Sequence, residues 1–156
     1  MGHIHEKIDF VVGLLVVYNN KVLMVDHKKL NAWVCPGGHI ELDEDPEQTL
    51  FRELFEETGL KKDDVEVLAQ KPEDIREGAH KFLYTPNFLD IHNFNSEHRH
   101  IGIMYILRSK TDKVILEKEA HKGIAWIGEA EINSEKYKLT EIMKFYIREA
   151  IEKAKL

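Results

Sequence analysis

The chain has very little cysteine, since Cys35 is the only one among 156 residues. A single thiol excludes an intramolecular disulfide framework and a zinc site built from four cysteines. Long hydrophobic runs are missing as well. The longest, Phe10 to Tyr18, contains a glycine and ends before Asn19, whereas a membrane-spanning helix needs about 18 to 20 apolar residues. We therefore expect no membrane partner.

A signal peptide is also not recognisable at the N-terminus. Residues 1–9 carry histidines and acids, where a signal peptide has basic residues followed by an apolar core. We therefore expect a cytoplasmic protein. With 43% hydrophobic and 32% charged residues, the composition is that of a globular protein, and the length predicts a single domain over residues 1–156.

The chain has no basic excess. It contains 22 Lys and Arg against 28 Asp and Glu, for a formal net charge of -6. Residues 41–57 alone hold eight acids and one base, a local charge of -7, so the rest of the chain sums to about +1. One acidic block in a balanced chain indicates a solvated acidic face or a cation site. The lack of a basic stripe argues against a nucleic-acid partner.

Turn and capping signals divide the chain into strands and two helices. Asn19-Asn20 predicts a β-hairpin turn between the apolar runs 8–18 and 21–26. Asp45-Pro46 begins a helix that Gly59 ends, which predicts a helix over residues 46–58. The other predicted elements are strands at 32–35, 65–70, 81–94, 101–107 and 124–127 and an amphipathic helix at 139–154. This order predicts an α/β fold with a mixed sheet covered by helices, rather than repeated parallel βαβ units.

The predicted helix 46–58 has an apolar face and an acidic face. At about 100° per residue, Glu53, Glu56 and Glu57 lie together on the side opposite the apolar residues. Like charges at these spacings cost a helix about 0.2–0.5 kcal/mol per pair. The bare pattern is typical of a solvated face, but clustered carboxylates are also what a hard divalent cation requires. The glycine-bounded loop 37–43 could add a backbone carbonyl, so the two segments predict a Mg²⁺ or Mn²⁺ pocket.

Residues 38–60 match a known motif at every specified position. Gly38 is followed after five residues by Glu44, and after seven more by Arg52-Glu53. The remaining positions are filled by Leu54, Glu56, Glu57, Gly59 and Leu60. This pattern resembles the Nudix box, G-x5-E-x7-R-E-U-x-E-E-x-G-U, in which U is aliphatic. The hairpin before the motif, the W-x-x-P-G-G approach and a late tryptophan before the last helix are similar to small MutT-like members. The resemblance implies the Nudix α/β/α sandwich, with a central mixed sheet flanked by helices.

The resemblance also implies an activity: metal-dependent hydrolysis of a nucleoside diphosphate linked to another moiety. Metals held by carboxylates neutralise phosphate charge and activate water, as pyrophosphate hydrolysis requires. The expected substrate is a nucleoside triphosphate or an oxidised nucleotide. ADP-ribose, a nucleotide sugar and an RNA 5′ end stay open, as does a nucleotide-binding module without catalysis. The sequence leaves the oligomeric state open, a homodimer being one option.

The Nudix resemblance assigns roles to the charged residues of the motif. Glu53, Glu56 and Glu57 would ligate the metal, with the backbone oxygen of Gly38 or its neighbour joining them. Arg52 would orient Glu53 through charge-assisted hydrogen bonds. An ordinary helix ion pair between Arg52 and Glu56 is the alternative interpretation, and the two are compatible.

Further candidates support the site or bind substrate. Glu44, Gly37 and Gly59 are expected to support the loop and the helix. In this family the general base is either the first helix glutamate, here Glu53, or a carboxylate from a distant loop, for which Glu97 is the nearest candidate. The candidates for binding the nucleotide are three aromatic side chains and one cation: Trp33, Phe88, Trp126 and Arg99.

Three histidines, His92, His98 and His100, lie close together in the sequence. His98 and His100 would share a face if the following strand begins early. We expect solvated histidines at a strand entrance, with phosphate contact or proton transfer as the alternative. A zinc site would require a more convincing ligand geometry.

Overall fold

The computed structural model describes every residue except Met1 and Arg76, so these two positions of the predicted 1–156 domain lie outside the described residues. Its strands are β1 (Ile8–Tyr18), β2 (Lys21–His27), β3 (Ala32–Val34), β4 (Gly37–His39), β5 (Val65–Val67), β6 (Phe88–Asn93), β7 (Arg99–Ser109) and β8 (His121–Gly128). Its α-helices are α1 (Pro46–Thr58) and α2 (Glu141–Lys155). Among the described residues, no helix is long and apolar enough to cross a membrane.

The strands form one mixed sheet in which β1 is the central element. β1 runs parallel to β7, from Ile8 opposite Arg99 to Val17 opposite Arg108. The other strand pairs are antiparallel: β1 with β2, β1 with β4, β2 with β3, β2 with β8, β5 with β7 and β6 with β7. The mixed sheet predicted from the order of elements is confirmed.

β1 changes its antiparallel partner along its length. Its last two residues pair with β2 across the turn at Asn19 and Asn20, whose φ angles of 49° and 59° are typical of a tight hairpin turn. Earlier in the strand, Val11, Val12 and Gly13 pair with β4 instead. The predicted hairpin is therefore confirmed, but the glycine loop enters the sheet between the two arms and lies beside the middle of β1.

The two helices cover opposite faces of the sheet. Successive residues of β1 point to opposite faces of the sheet. Since a helix covers each face, both sets of β1 side chains are buried. One face packs with α1 in a cluster that includes Leu14, Val16, Leu50, Leu54 and Leu107. The other packs with α2 in a cluster that includes Leu15, Val17, Met104, Ile147 and Ile151. The predicted α/β/α sandwich is confirmed.

The ends of α1 coincide with the predicted ones because both caps are encoded locally. The Asp45 side chain accepts from the backbone N–H groups of Glu47 and Gln48 at 2.9 and 3.0 Å. At the other end Gly59 adopts φ 76°, and its N–H donates to the Phe55 carbonyl at 2.9 Å. Glycine is the residue that adopts this left-handed conformation without a steric penalty.

Predicted strand boundaries are less accurate than helix ends. The predicted strand 81–94 is reduced to β6, and 65–70 to β5. Residues 81–87 contain Pro86, which has no N–H for a ladder, and their amides bond elsewhere: the Tyr84 N–H donates to Glu47 Oε1 at 2.9 Å. Conversely, β7 begins at Arg99, two residues before the predicted start.

Candidate active site

The glycine loop lies directly against the acidic face of α1. A side chain at Gly38 would overlap the Glu53 carboxylate, and one at Gly37 would overlap the Val12 backbone carbonyl. Gly37 therefore requires glycine for steric reasons, whereas a side chain at Gly38 would displace the Glu53 carboxylate. The Gly37 N–H donates to Glu57 Oε2 at 3.0 Å, which holds the loop against the helix.

Arg52 is the centre of a hydrogen-bonded network of carboxylates. Its Nε and one terminal nitrogen donate to both oxygens of Glu44, at 2.8–3.1 Å. The other terminal nitrogen donates to Glu53 Oε1 at 2.8 Å and to Glu56 Oε2 at 3.3 Å. The His39 backbone carbonyl accepts a further bond at 3.1 Å. Arg52 thus contacts Glu53 and forms the helix ion pair with Glu56 at the same time.

The predicted supporting glutamate, Glu44, anchors this network from the loop. It accepts from the Glu41 N–H at 3.2 Å in addition to its bonds with Arg52. Hydrogen bonds from Arg52 lower the pKa of Glu44, so Glu44 is a stable anion at neutral pH. Glu44 therefore fixes the guanidinium on the side away from Glu53.

Glu53 is buried and the Glu57 side chain is only partly exposed, so burial acts on the pKa of both carboxyl groups. Burial raises the pKa of Glu53 to about 7, although Arg52 opposes the shift. Burial raises the pKa of Glu57 to about 8, and the neighbouring carboxylates add to the rise. Burial disfavours the negative charge on these carboxylates, and a bound divalent cation would offset that cost because it binds oxygen ligands and attracts negative charge. The residues present therefore fit Mg²⁺ or Mn²⁺.

This burial makes the stability of the metal-free protein depend on pH. Because the folded-state pKa of Glu57 lies above its ordinary value of 4.5, the folded form retains a proton that the unfolded form loses, and stability falls as the pH rises from about 5 to 8. Glu57→Gln removes the ionisation, so in chelator its Tm should exceed the wild-type Tm more at pH 8 than at pH 5.

Thermal unfolding in EDTA across this pH range measures the effect. Glu141→Gln is the matched control, since the Glu141 side chain on α2 is 88% exposed and its loss should not change the pH dependence. A difference between Glu57→Gln and wild type that is constant with pH would contradict the raised pKa.

His121 is a buried residue of the site that sequence reasoning missed. It opens β8 and is 1% exposed. Its Nε2 lies 3.7 Å from Glu57 Oε1, and its Nδ1 lies 3.8 Å from Glu117 Oε2. Burial lowers its pKa, so it is neutral at physiological pH. Only the pairing of β8 with β2 brings it to α1, and no local pattern in the sequence marks it.

The structure separates the residues predicted to bind substrate. Trp33 and Phe88 pack against the cluster beneath α2, whereas Trp126 packs against the cluster beneath α1. The Trp126 indole N–H donates to the Asp112 carbonyl at 3.1 Å. Arg99 is exposed at the start of β7. These four residues do not form one surface, so their role in binding stays a prediction.

Glu97, the predicted alternative base, lies in the exposed turn between β6 and β7. Its backbone N–H donates to Asn95 Oδ1 at 2.9 Å. The hydrogen bonds and ion pairs of the described residues do not connect Glu97 with α1. Glu53 is therefore the predicted base that the fold places in the Arg52 network, and the role of Glu97 stays a prediction.

The interpretation of the three histidines as solvated is wrong for two of them. His92 is exposed, but His98 and His100 are only 3% and 7% exposed. They are covered because the segment before β1 lies against the start of β7, where the ring centroids of His3 and His98 are 3.6 Å apart. The sequence pattern showed their shared side of the strand but not the segment that covers them.

Comparison with known proteins agrees with this geometry. The NUDIX domain model matches residues 8–148. The chain belongs to the Nudix family. A Nudix hydrolase from Clostridium perfringens has a similar solved structure, with a TM-score of 0.77, 27% identity and coverage of 92% of this chain and 96% of that one. A MutT Nudix hydrolase from Burkholderia pseudomallei, at 16% identity and a TM-score of 0.64, covers 92% of this chain and 98% of that one and supports the fold alone.

Curated Nudix relatives match a shorter segment. A protein named RNA pyrophosphohydrolase from Baumannia cicadellinicola subsp. Homalodisca coagulata is 47% identical over 58 residues, which is 36% of each chain. Another of the same name from Actinobacillus succinogenes is 50% identical over 56 residues, 35% of this chain and 28% of the relative. The match thus spans about a third of the length of these curated relatives.

Proposed function

We propose that this Nudix protein is a divalent-metal-dependent pyrophosphohydrolase that cleaves the phosphate chain of a nucleotide. The observation that carries the proposal is the Arg52 network, in which one guanidinium contacts both Glu53 and Glu56 while anchored by Glu44. On a solvated acidic face all three carboxylates would be exposed, whereas Glu53 is buried, Glu57 is partly covered and the glycine loop packs against both. Clustered oxygen donors held in this way suit a divalent cation.

The proposed metal ligands are Glu53, Glu56, Glu57 and the Gly38 backbone oxygen. A bound Mg²⁺ or Mn²⁺ would supply charge neutralisation of the phosphates and a more acidic water. The chain's own contribution is to hold these donors rigidly. Arg52 restrains Glu53 and Glu56, and the Gly37 N–H restrains Glu57 at 3.0 Å. Pre-positioned donors need little reorganisation during the reaction.

We propose Glu53 as the group that removes the proton from the attacking water. A base must lie within hydrogen-bond reach of the proton that it removes, and Arg52 holds Glu53 in the site at 2.8 Å. Glu97 is the alternative base. The Glu97→Gln enzyme should retain wild-type kcat if Glu53 is the base and lose it otherwise.

The two candidate substrates that we favour both carry a 5′-triphosphate group. The small nucleotide, a nucleoside triphosphate or its oxidised form, is the first candidate, and a cytoplasmic enzyme acting on that pool is the corresponding cellular role. The relatives named RNA pyrophosphohydrolase favour a second candidate, a triphosphorylated RNA 5′ end. ADP-ribose and nucleotide sugars share the pyrophosphate linkage but lack the triphosphate.

The test is a hydrolysis panel in ¹⁸O-water with Mg²⁺ or Mn²⁺. It compares nucleoside triphosphates, oxidised nucleotides, triphosphorylated RNA, ADP-ribose and nucleotide sugars at equal concentration. We expect ¹⁸O in a phosphate-containing product with base and sugar intact, because the proposed chemistry breaks a P–O bond. The preferred member of the panel identifies the substrate class.

Chelator-treated enzyme and the Glu53→Gln variant are the controls for this panel, and both should be inactive on every compound. Release of free base, or ¹⁸O at the sugar carbon, would show a different reaction. Absence of turnover throughout the panel with both metals would replace the proposal by the nucleotide-binding module.

A further inference from the structure

A second group of potential metal ligands lies outside the α1 glutamates. This histidine cluster consists of His3, Asp9, His98 and His100, whose ligand atoms all lie within 4.8 Å of one another. Asp9 and His100 are register partners on the parallel strands β1 and β7. His98 immediately precedes β7, and the segment before β1 brings His3 over them. Asp9 is completely buried, and His98 and His100 are more than nine-tenths buried.

Two of the donor distances equal those between ligands around one small cation, and the whole set lies within 4.8 Å. The Asp9 Oδ2 atom lies 3.2 Å from His3 Nδ1 and 3.2 Å from His98 Nε2. Zinc bonds of about 2.0–2.1 Å in a tetrahedron place neighbouring ligand atoms about 3.3 Å apart. His39 Nε2 also lies 3.2 Å from Asp9 Oδ2, so a further imidazole adjoins the cluster.

A backbone hydrogen bond orients the His98 ring so that its Nε2 atom faces the cluster. Its Nδ1 lies 3.0 Å from the Glu6 backbone carbonyl, and a carbonyl only accepts, so Nδ1 carries the proton. The other ring nitrogen, Nε2, therefore faces Asp9 Oδ2, at 3.2 Å. Metal-binding histidines usually show this arrangement, in which the second nitrogen donates to a carbonyl or carboxylate.

The buried nitrogens are poorly satisfied by protein groups. Among the described residues, the Nε2 atoms of His98 and His100 are buried without a hydrogen bond, and His98 Nε2 has only its 3.2 Å contact with the Asp9 carboxylate. Buried polar atoms are nearly always satisfied in native proteins. Asp9 itself is held as an acceptor by the backbone N–H groups of Ile4 and His5, at 3.1 and 2.6 Å. A cation at the centre would satisfy the two imidazoles and neutralise the carboxylate together.

We propose that the histidine cluster binds a structural Zn²⁺ ion through His3, Asp9, His98 and His100. Three imidazoles and one carboxylate are a donor set that suits zinc, and four protein ligands leave no open position for catalysis. The ion would fasten the segment before β1 onto β1 and β7. It is distinct from the Mg²⁺ or Mn²⁺ proposed at α1, whose ligands are oxygen atoms.

The test replaces zinc by cobalt, which reports its geometry by its visible spectrum. The full chain is stripped of metal with chelator, given excess Mg²⁺ to occupy the α1 glutamates, and titrated with Co²⁺. We expect one equivalent of Co²⁺ to produce the intense visible absorption of four-coordinate cobalt. Zn²⁺ should then displace it, because zinc binds such sites more tightly than cobalt.

Ligand variants locate the ion. His3→Ala should weaken Co²⁺ and Zn²⁺ binding by more than about 100-fold, since even the loss of an outer partner costs 10–100-fold. His3 is exposed, so its replacement does not threaten the fold. His98→Ala should have the same effect. The matched control is His80→Ala, an exposed histidine outside the cluster that should bind metal like wild type.

The outcomes separate this proposal from the proposed function. A Glu56→Gln, Glu57→Gln double variant should lose hydrolysis but keep the cobalt spectrum. If the spectrum disappears in that variant, or if it survives in His3→Ala and His98→Ala, the ion does not bind the histidine cluster. A weak spectrum typical of six-coordinate cobalt, or the absence of tight binding, would also overturn the proposal.

Discussion

Replacing Glu53 with glutamine should lower kcat by about 10²–10⁴-fold, the usual effect of removing a positioned acid or base. Glutamine keeps the shape of the side chain, so the contact with the Gly38 backbone persists. The replacement removes both the negative charge that a metal needs and the basicity that a water needs. Because burial already disfavours ionised Glu53 in the metal-free protein, its loss should cost little stability.

The Tm of Glu53→Gln, measured with and without metal, separates a loss of activity from a loss of folding. In chelator the Tm of Glu53→Gln should lie within about 2–4 °C of wild type, which corresponds to about 1 kcal/mol at this size. Mg²⁺ should raise the wild-type Tm by mass action and raise that of the variant far less. Glu141→Gln, at an exposed position of α2, should match wild type throughout. Retained turnover in Glu53→Gln with an equal response to metal would show that Glu53 is only part of a solvated face.

Arg52→Lys should lower kcat or metal affinity by about 10–100-fold, the usual cost of losing a group that orients metal ligands. Lysine keeps the charge but has one ammonium in place of a planar set of five donors. It cannot hold Glu44, Glu53 and Glu56 together as the guanidinium does. Arg52 is a positioning residue, so the effect acts through the glutamates.

Arg108→Lys is a matched control for this change. Arg108 also bonds to one carboxylate and one carbonyl, at 2.7 Å each, but these belong to Glu66 on β5 and Ala154 on α2 rather than to the α1 glutamates. Both variants should lose similar stability, and only Arg52→Lys should lose turnover and require more Mg²⁺ for half-maximal activity. If both lose stability and both keep turnover, Arg52 has a purely structural role.

Much of the fold could be predicted because its signals are local. Asp45, Pro46 and Gly59 set the ends of α1 through bonds to residues within the same helix, so no distant contact was needed. Apolar runs predicted β1 and β2 for the same reason. The limits of β6 could not be read in this way, because a strand exists only where a neighbour accepts its hydrogen bonds. Tyr84 instead bonds to Glu47 of α1.

The candidate site also has a part that local sequence predicts and a part that depends on long-range pairing. The acidic face of α1 follows from helical periodicity and from the motif at residues 38–60. The pairing of Gly37 with Glu57 and the contact of Gly38 with Glu53 depend on the path of β4 beside β1. His121 joins the site only because β8 pairs with β2. Its position far from α1 in the sequence gives no indication of this contact.

By itself, the sequence determined the family, the layered α/β architecture, the limits of α1 and the glutamates on its outer face, because each of these follows from local spacing and residue chemistry. Only the tertiary structure decided which of those glutamates are buried and raised in pKa, and which histidines are covered. Asp9 and His100 are adjacent because two parallel strands pair across the centre of the sheet. Burial and long-range pairing arise from the packing of the whole chain, so they determine the electrostatics of the site and the histidine cluster.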